Sequence, residues 1–127
     1  MSRYNLSFGK SSENEAVKYL REQGYKILAT NYKSRLGEID IVAKEGRVVC
    51  FVEVKSRSSL AFGFPQEAVT KLKQHKISQS AIVYLKEKRW LEQSCRFDVL
   101  SIIRDEQAQA RFELLKDAFD LDGNYTY

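Results

Sequence analysis

The sequence predicts an α/β fold in which helices pack on a mixed sheet. Three observations favour this class: an N-terminal segment with helical spacing, two β-rich runs around a glycine-containing turn, and a later helical region followed by two more β-rich runs. Helices and strands are therefore mixed along the chain. At 127 residues there is room for one domain, so we expect residues 1–127 to share one core.

The first two predicted elements are a helix and a short strand. Residues 11–23 open with two serines and a glutamate, continue with apolar residues at helical spacing, and precede Gly24, which favours helix termination. The run from Tyr25 to Tyr32 is rich in aromatic and aliphatic residues. It predicts the first strand, although a more polar stretch within it weakens the pattern.

The next two strands are predicted as a β-hairpin. Glu38–Ala43 and Val48–Lys55 are both β-rich, and the intervening Lys44–Arg47 contains a glycine. A two-residue turn formed by Glu45 and Gly46 would join the strands in antiparallel order.

A loop, a long helical region and two further strands complete the prediction. Ser56 to Pro65 indicates a loop, and Pro65 suits the first turn of a helix that extends to about Lys88. Because the apolar residues of this region do not keep to one face, we expect a kink or break near Gln74 to Ile77. The remaining predicted elements are strands at Arg96–Ile103 and Arg111–Leu115 and a loose tail from about Asp120 to Tyr127.

Charge and cysteine content narrow the functional classes. The net charge of +4 and the pI of about 9.1 favour approach to a polyanion such as DNA or RNA, although an ordinary basic surface accounts for them equally well. Cys50 and Cys95 lie in apolar runs, we expect no secretory leader, and no apolar run reaches about 20 residues. We therefore expect a reduced cytoplasmic protein whose cysteines are core residues and not nucleophiles.

The candidate site residues lie on the charged faces of the two hairpin strands. Because side chains alternate along a strand, Glu38 and Asp40 share one face, with Ile39 and Ile41 on the other. Glu53 and Lys55 share a face of the next strand in the same way. Counting back from the predicted turn puts Glu38 opposite Glu53 and Asp40 opposite Phe51. Acidic side chains held this close repel each other unless a cation neutralises them.

Carboxylate ligands suit Mg²⁺ or Mn²⁺, and nothing in the pattern indicates zinc. Such an ion polarises a phosphodiester and promotes ionisation of the attacking water. We expect Asp40 and Glu53 to hold the ion, and Lys55 to orient the water or to stabilise the developing charge. The alternative is a solvated face of an antiparallel pair, where Glu and Lys at alternate positions are common.

Further candidates lie outside the hairpin. Glu13 falls on the apolar stripe of the first helix, so it either reaches the metal cluster or caps the helix N-terminus. Arg57, Lys71, Lys73 and His75 are candidate nucleic-acid contacts. A solvated basic helix face is the more ordinary explanation for the last three.

At these residues the chain resembles the YraN-like family of uncharacterised bacterial proteins, distant relatives of archaeal Holliday junction resolvases in the PD-(D/E)XK nuclease superfamily. The resemblance spans most of the chain, in the blocks Glu13–Leu20, Gly24–Tyr32, Gly37–Asp40, Phe51–Arg57, Phe62–Val69 and Arg96–Asp98. It implies a restriction-endonuclease-like three-layer α/β/α core with a mixed central sheet. It also implies metal-dependent cleavage of DNA, on branched or recombination and repair intermediates, by a protein that can act as a homodimer.

The resemblance assigns roles to four residues. Asp40 corresponds to the motif aspartate, Glu53 and Lys55 to the (D/E)XK pair, and Glu13 to the acid on the first helix of the resolvase-like branch. The resemblance therefore adds weight to a Mg²⁺ or Mn²⁺ site formed by Asp40 and Glu53, with Glu13 as a further ligand. The hairpin geometry adds Glu38 as another candidate ligand.

Two departures from the pattern affect the prediction differently. Ile39 stands where the superfamily name has proline, which leaves the metal site intact, and Ser12 replaces a glycine, which concerns only the local helix start. A shared fold implies an activity less firmly than it implies the fold itself. The leading hypothesis is thus a metal-dependent DNA endonuclease, its rival is a nucleic-acid-binding module without catalysis, and a third option is a protein-interaction adaptor.

Overall fold

The described part of the chain forms two helices and five strands. The structure is a computed structural model that describes residues 2–58 and 69–121, with side chains described from Ser12 onward. In chain order the elements are α1 (Ser2–Glu22), β1 (Lys26–Ser34), β2 (Gly37–Glu45), β3 (Val48–Ser58), α2 (Lys71–Lys88), β4 (Cys95–Arg104) and β5 (Ala110–Phe119).

The described strands form one mixed sheet in the order β1-β2-β3-β4-β5. β3 and β4 run parallel, whereas all other neighbours are antiparallel. A parallel pair needs a crossover connection, and α2 lies between β3 and β4 in the sequence. The predicted α/β class with a mixed sheet is confirmed, and the architecture is compatible with a restriction-endonuclease-like core.

Apolar side chains cover both faces of the sheet. The face beneath α2 buries a cluster to which the helix contributes Ile77, Ala81 and Tyr84. The opposite face buries a second cluster, to which α1 contributes Ala16 and Leu20. The layers are therefore α1, sheet and α2, as expected for a three-layer α/β/α core.

Neither α1 nor α2, as far as its residues are described, is both long enough and apolar enough to cross a membrane.

Helix α1 begins earlier than the sequence indicated. Its first residue is Ser2, whereas the predicted helix began at residue 11. The preceding segment contains no proline that would interrupt helical hydrogen bonds, so the polar residues Ser11 and Ser12 do not start the helix. The predicted end is confirmed, because Gly24 follows α1 with a φ of 97°, a conformation that glycine adopts readily.

The predicted hairpin is present, but its turn is displaced by one residue. Gly46 and Arg47 form the turn, and Glu45 pairs with Val48. Gly46 has a φ of 60°. The first turn position requires this left-handed conformation, which glycine adopts without the steric cost of a Cβ atom, so the turn starts at Gly46 and not at Glu45.

The displaced turn changes which side chains face each other. Phe51 pairs with Val42 and not with Asp40, and the predicted pairing of Glu38 with Glu53 is wrong by the same shift. Continued by one residue beyond the last recorded pair, the observed register sets Asp40 opposite Glu53. The recorded pairing ends at Ile41 and Val52, so the two predicted site acids follow the last pair of the ladder on each strand.

Helix α2 begins later than predicted. Thr70 has an extended backbone, and its side chain accepts a hydrogen bond from the Lys73 N–H at 3.2 Å. This is the geometry of a helix N-cap, so α2 starts at Lys71. The prediction included Val69 and Thr70 in the helix, which is wrong because both residues precede α2. Pro65 itself lies outside the described residues.

The predicted kink at Gln74–Ile77 is wrong, because α2 continues unbroken from Lys71 to Lys88. The buried stripe consists of residues such as Ile77, Ala81 and Leu85, which recur at helical spacing. Leu72 obscured this stripe in the sequence, since its side chain is 64% exposed.

The predicted strands are confirmed, with longer bounds. β3 continues through Ser58, so the start of the predicted loop at Ser56 is wrong, and the rest of that loop lies outside the described residues. β5 continues to Phe119 instead of ending at Leu115. The β4–β5 register shifts between Phe97 and Val99, opposite the part of β5 that contains Asp117, whose φ is 55°. The predicted tail beyond residue 121 also lies outside the described residues.

Helix α2 approaches the start of β2 very closely at Gly37. A Cβ atom on Gly37 would lie 3.0 Å from the Lys76 carbonyl oxygen and 3.0 Å from Ser80 Oγ. Ser80 Oγ is also 3.0 Å from the hydroxyl of Ser34. The missing side chain therefore lets the first half of α2 lie against the end of β2 that carries Asp40.

Candidate active site

The backbone of the sheet is irregular at Asp40. Regular alternation would put Ile39 and Ile41 on one face, but Ile39 packs beneath α2 and Ile41 beneath α1. Asn31 of β1 lies opposite Asp40 in the strand register and has a φ of 50°, which asparagine tolerates better than most residues. The predicted shared face of Ile39 and Ile41 is therefore wrong, because β2 turns over at Asp40.

The irregularity directs the Asp40 carboxylate towards β3. The Val54 N–H donates a hydrogen bond to Asp40 Oδ2 at 2.8 Å. The side chain thus replaces a backbone acceptor where the β2–β3 pairing ends. The neighbouring Glu53 is only 4% exposed, and its carboxyl group lies close enough to that of Asp40 to raise the pKa of Asp40.

Burial and the Glu53 charge together raise the pKa of Asp40 from 3.8 to about 6. The Val54 N–H and the Lys73 ammonium group favour the charged form, but they do not outweigh these two causes. Two carboxyl groups in one buried space favour either a shared proton or a cation between them.

Within the described side chains, two lysines face the buried Glu53. Lys55 Nζ lies 3.8 Å from Glu53 Oε2, and Lys73 Nζ lies 2.5 Å from the same oxygen. Burial acts to lower the pKa of Lys73, but the hydrogen bond to Glu53 and the charges of Glu53 and Asp40 outweigh it and raise that pKa. The sequence predicts Lys73 only as a nucleic-acid contact, because nothing in it indicates that α2 brings Lys73 to Glu53 of β3.

The carboxylates open onto a cleft of about 420 Å³ between the start of β2 and the first turns of α2. Its lining residues are Gly37, Glu38, Asp40, Glu53, Thr70, Leu72, Lys73, Lys76 and Ile77. Acidic and basic side chains both contribute to this wall. A cation can therefore meet carboxylates, and an anionic phosphate can meet ammonium groups, within the same cleft.

The other predicted acids lie at the margin of the site. Glu38 lines the cleft and is exposed. Glu13 accepts a hydrogen bond from the side-chain amide of Asn31, which lies opposite Asp40. Because α1 begins at Ser2, Glu13 is in the middle of the helix, and the capping alternative is wrong.

The Asp40–Glu53 pair fits a divalent cation. Among the residues whose side chains are described, no three His, Cys, Asp or Glu are grouped closely enough to hold one metal ion. Mg²⁺, however, commonly takes one or two protein carboxylates and completes its shell with water and substrate phosphate. A cation would also relieve the repulsion that helps to raise the pKa of Asp40. Ligand roles for Glu13 and Glu38 stay predictions.

The remaining predicted nucleic-acid contacts are divided between two elements. Lys71 is exposed at the start of α2, and His75 is half-buried farther along the same helix. Arg57 lies on β3, where its Nη2 is 3.8 Å from Glu113 Oε1. Lys71 and His75 thus share a helix with Lys73, whereas Arg57 lies beyond Lys55 on the sheet.

A second cleft, of about 760 Å³, lies at the far end of α2. Its lining residues are Arg47, Lys86, Arg89, Trp90, Leu91, Glu92, Gln93 and Ser94. The Lys44 ammonium group lies 4.6 Å from the centre of the Trp90 ring. This basic and aromatic surface lies at the C-terminal end of α2, whereas the acidic cleft lies at its N-terminal end, and the 18 residues of the helix span about 27 Å.

A separate charged network packs on the α1 side of the sheet. Asp98 is fully buried and accepts hydrogen bonds from the Tyr25 hydroxyl at 3.0 Å, Arg96 Nε at 2.9 Å and the Asp117 N–H at 2.9 Å. Arg96 also forms an ion pair with Glu45 at 2.6 Å. Because these groups connect β2, β4 and β5, the network is structural.

Both cysteines are free thiols, Cys50 buried and Cys95 half-buried. Burial raises the pKa of Cys50 to about 12 and also raises that of Cys95. Both thiols are therefore protonated at neutral pH, which agrees with the prediction that they are core residues and not nucleophiles.

Comparison with known proteins identifies the family. The sequence model of the family described as "Uncharacterised protein family UPF0102" matches residues 12–102. A UPF0102 protein of Lachnoclostridium phytofermentans is 49% identical over 117 residues, which is 91% of this chain and 95% of the relative. A UPF0102 protein of Syntrophus aciditrophicus is 48% identical over 92% of this chain and 91% of the relative. A UPF0102 protein of Geobacter metallireducens is 46% identical over 95% of this chain and 98% of the relative.

Proposed function

The chain belongs to the UPF0102 family, and we propose that it is a Mg²⁺- or Mn²⁺-dependent endonuclease that hydrolyses phosphodiester bonds of DNA. The observation that carries this proposal is the pairing of the half-buried Asp40 with the buried Glu53, faced by the ammonium groups of Lys55 and Lys73. Phosphodiester hydrolysis needs a cation close to groups that can accept the negative charge of the transition state.

Asp40 and Glu53 would hold the cation through their carboxylate oxygens. When bound, such an ion polarises a phosphoryl oxygen and favours deprotonation of the attacking water. The Val54 N–H fixes one oxygen of Asp40, so the direction of that carboxylate is determined before any ligand arrives. Because Glu53 is buried, little water surrounds its carboxylate, and the attraction between this carboxylate and a cation is stronger than it would be in water.

Lys55 would act on the reacting phosphate. It lies two residues from Glu53 on the same face of β3, with Nζ 3.8 Å from Glu53 Oε2 and a side chain that is 29% exposed. An ammonium group in this position can donate hydrogen bonds to a phosphoryl oxygen as its negative charge grows. It can also orient the attacking water.

Cations at both ends of α2 support a polyanionic substrate longer than one nucleotide. Lys71 and Lys76 lie near the acidic cleft, and Lys86 and Arg89 line the second cleft. The roughly 27 Å between these ends corresponds to about eight base pairs of duplex. Because the chain resembles resolvases, the proposal extends to branched or recombination intermediates cut by a homodimer, whose symmetry would match a two-fold DNA substrate.

A DNA-binding module without catalysis is the second candidate, because the ion pair with Lys73 can neutralise Glu53 by itself. In that case the carboxylates would serve structure. This candidate predicts salt-dependent DNA binding and no metal-dependent cleavage.

Cleavage of branched, single-stranded and duplex DNA in the presence of Mg²⁺ or Mn²⁺ tests the proposal. We expect cleavage by the wild type and losses of about 100-fold or more in Asp40→Asn and Lys55→Met. Lys18→Met, at an exposed position of α1, is the matched control and should cleave like the wild type. Equal cleavage by all four proteins would indicate a contaminating nuclease and refute the proposal, whereas DNA binding without any cleavage would favour the second candidate.

A further inference from the structure

Lys73 contacts Glu53 more closely than Lys55 does. Its Nζ is 2.5 Å from Glu53 Oε2, compared with 3.8 Å for Lys55. The Lys73 backbone is anchored at the N-cap of α2, where its N–H bonds to Thr70. Its side chain is 43% exposed, and a lysine stem is flexible. Lys73 can therefore leave Glu53 without any movement of the helix.

The charges of the site already balance without a metal. Asp40 and Glu53 supply two negative charges when ionised, and Lys55 and Lys73 supply two positive charges. A divalent cation that joined this group would leave two positive charges in excess within a partly buried space. Either an ammonium group has to leave, or an anion has to enter.

We propose that Lys73 is a resident counter-ion that competes with the metal for Glu53 and transfers to a phosphate of the DNA when the metal binds. This inference rests on the proposed nuclease function. It implies that the protein binds metal weakly on its own, and that metal and DNA strengthen each other's binding because each supplies the charge that the other requires.

The structure favours Lys73 over Lys55 for this movement. Lys55 pairs with Ser101 in the middle of the β3–β4 ladder, and its side chain is only 29% exposed. Lys73 lies at the end of a helix, beside the open cleft. Lys55 thus stays close to the carboxylates in both states, whereas Lys73 exchanges between Glu53 and the phosphate.

Metal-free stability tests the resting state of the pair. Thermal unfolding in EDTA is compared for the wild type, Lys73→Met, Glu53→Gln and the double variant. In the wild-type background, Lys73→Met should lower the melting temperature, because the buried Glu53 carboxylate loses a positively charged partner. In the Glu53→Gln background, the same substitution should have little effect. An equal loss in both backgrounds would overturn the inference.

Binding of Mn²⁺ alone, measured by electron paramagnetic resonance of the unbound ion, tests the competition. Lys73→Met should bind Mn²⁺ about tenfold more tightly than the wild type, because a neighbouring positive charge has been removed. Lys76→Met is the matched control, since it removes a charge from the same cleft and helix, and its affinity should stay within about twofold of the wild type. A non-cleavable phosphorothioate duplex should raise the Mn²⁺ affinity of the wild type more than that of Lys73→Met.

The outcomes separate this inference from the proposed function. If the wild type binds Mn²⁺ and cleaves DNA, but Lys73→Met binds Mn²⁺ no more tightly than the wild type, only the role of Lys73 is overturned. If neither wild type nor Lys73→Met binds Mn²⁺, with or without the duplex, the nuclease proposal fails and the role of Lys73 fails with it.

Discussion

Replacement of Asp40 by asparagine is expected to stabilise the metal-free protein while it removes metal binding. Asparagine has nearly the same shape and can still accept the hydrogen bond from the Val54 N–H. It cannot carry the negative charge that burial and Glu53 make unfavourable. The stability of the variant therefore measures the cost of holding the ionised Asp40 in place.

The size of this cost follows from the pKa of Asp40, which rises from 3.8 to about 6 on folding. A tenfold change in an acid dissociation constant corresponds to about 1.4 kcal/mol, so the ionised group costs up to about 3 kcal/mol in the folded protein. Because the folded-state pKa is the higher one, the contribution of Asp40 to stability is present below pH 3.8 and is lost as the pH rises through about 6. The advantage of the variant should be full above about pH 7 and small near pH 4.

Urea denaturation in EDTA, at about pH 8 and about pH 4, measures this difference. Asp120→Asn, at an exposed position, serves as the control and should stay within about 0.5 kcal/mol of the wild type at both pH values. Addition of Mn²⁺ should then stabilise the wild type and not Asp40→Asn. Two results would contradict the raised pKa of Asp40. One is an Asp40→Asn variant that is less stable than the wild type at about pH 8, and the other is a stability difference between the two proteins that is the same at both pH values.

Three further variants test other parts of the structure. Gly37→Ala should lower the free energy of unfolding by about 1–3 kcal/mol, because its Cβ would press against the backbone of α2, and unchanged urea denaturation would contradict the close approach seen there. Asp98→Asn should cost about 3 kcal/mol by the same measurement, because it leaves the Arg96 charge without its buried partner, and a wild-type stability would show that the network is dispensable. A variant with glutamine at the three cations of the second cleft, Arg47, Lys86 and Arg89, should bind DNA more weakly and keep its Mn²⁺ affinity. The slope of log affinity against log salt concentration should fall by about 3 in magnitude. An unchanged slope would show that DNA does not contact this cleft.

Local sequence patterns were sufficient for the fold class and for the main acids. Alternation along the hairpin singled out Asp40, Glu53 and Lys55, and the structure brings all three to one cleft wall or its edge. The register was wrong because the turn was centred on Glu45 and Gly46, although the first turn position needs the positive φ that Gly46 supplies.

Features that depend on long-range contacts could not be predicted in this way. The reversal of β2 at Asp40 depends on its partner strand, where Asn31 has a positive φ, and alternation rules contain no signal for it. The contact between Lys73 and Glu53 joins α2 to β3 across the fold. The buried face of α2 was hidden because it includes small polar residues such as Ser78 and Ser80, whereas Leu72 is exposed.

A crystal soaked in Mn²⁺, with anomalous scattering recorded from the metal, tests the metal site most directly. We expect an anomalous peak bridging the carboxylates of Asp40 and Glu53, with metal–oxygen distances of about 2.1 Å. The Lys73 ammonium group should have moved away from Glu53. Ordered side chains without a peak at this position under saturating Mn²⁺, or a metal bound only elsewhere, would contradict the account.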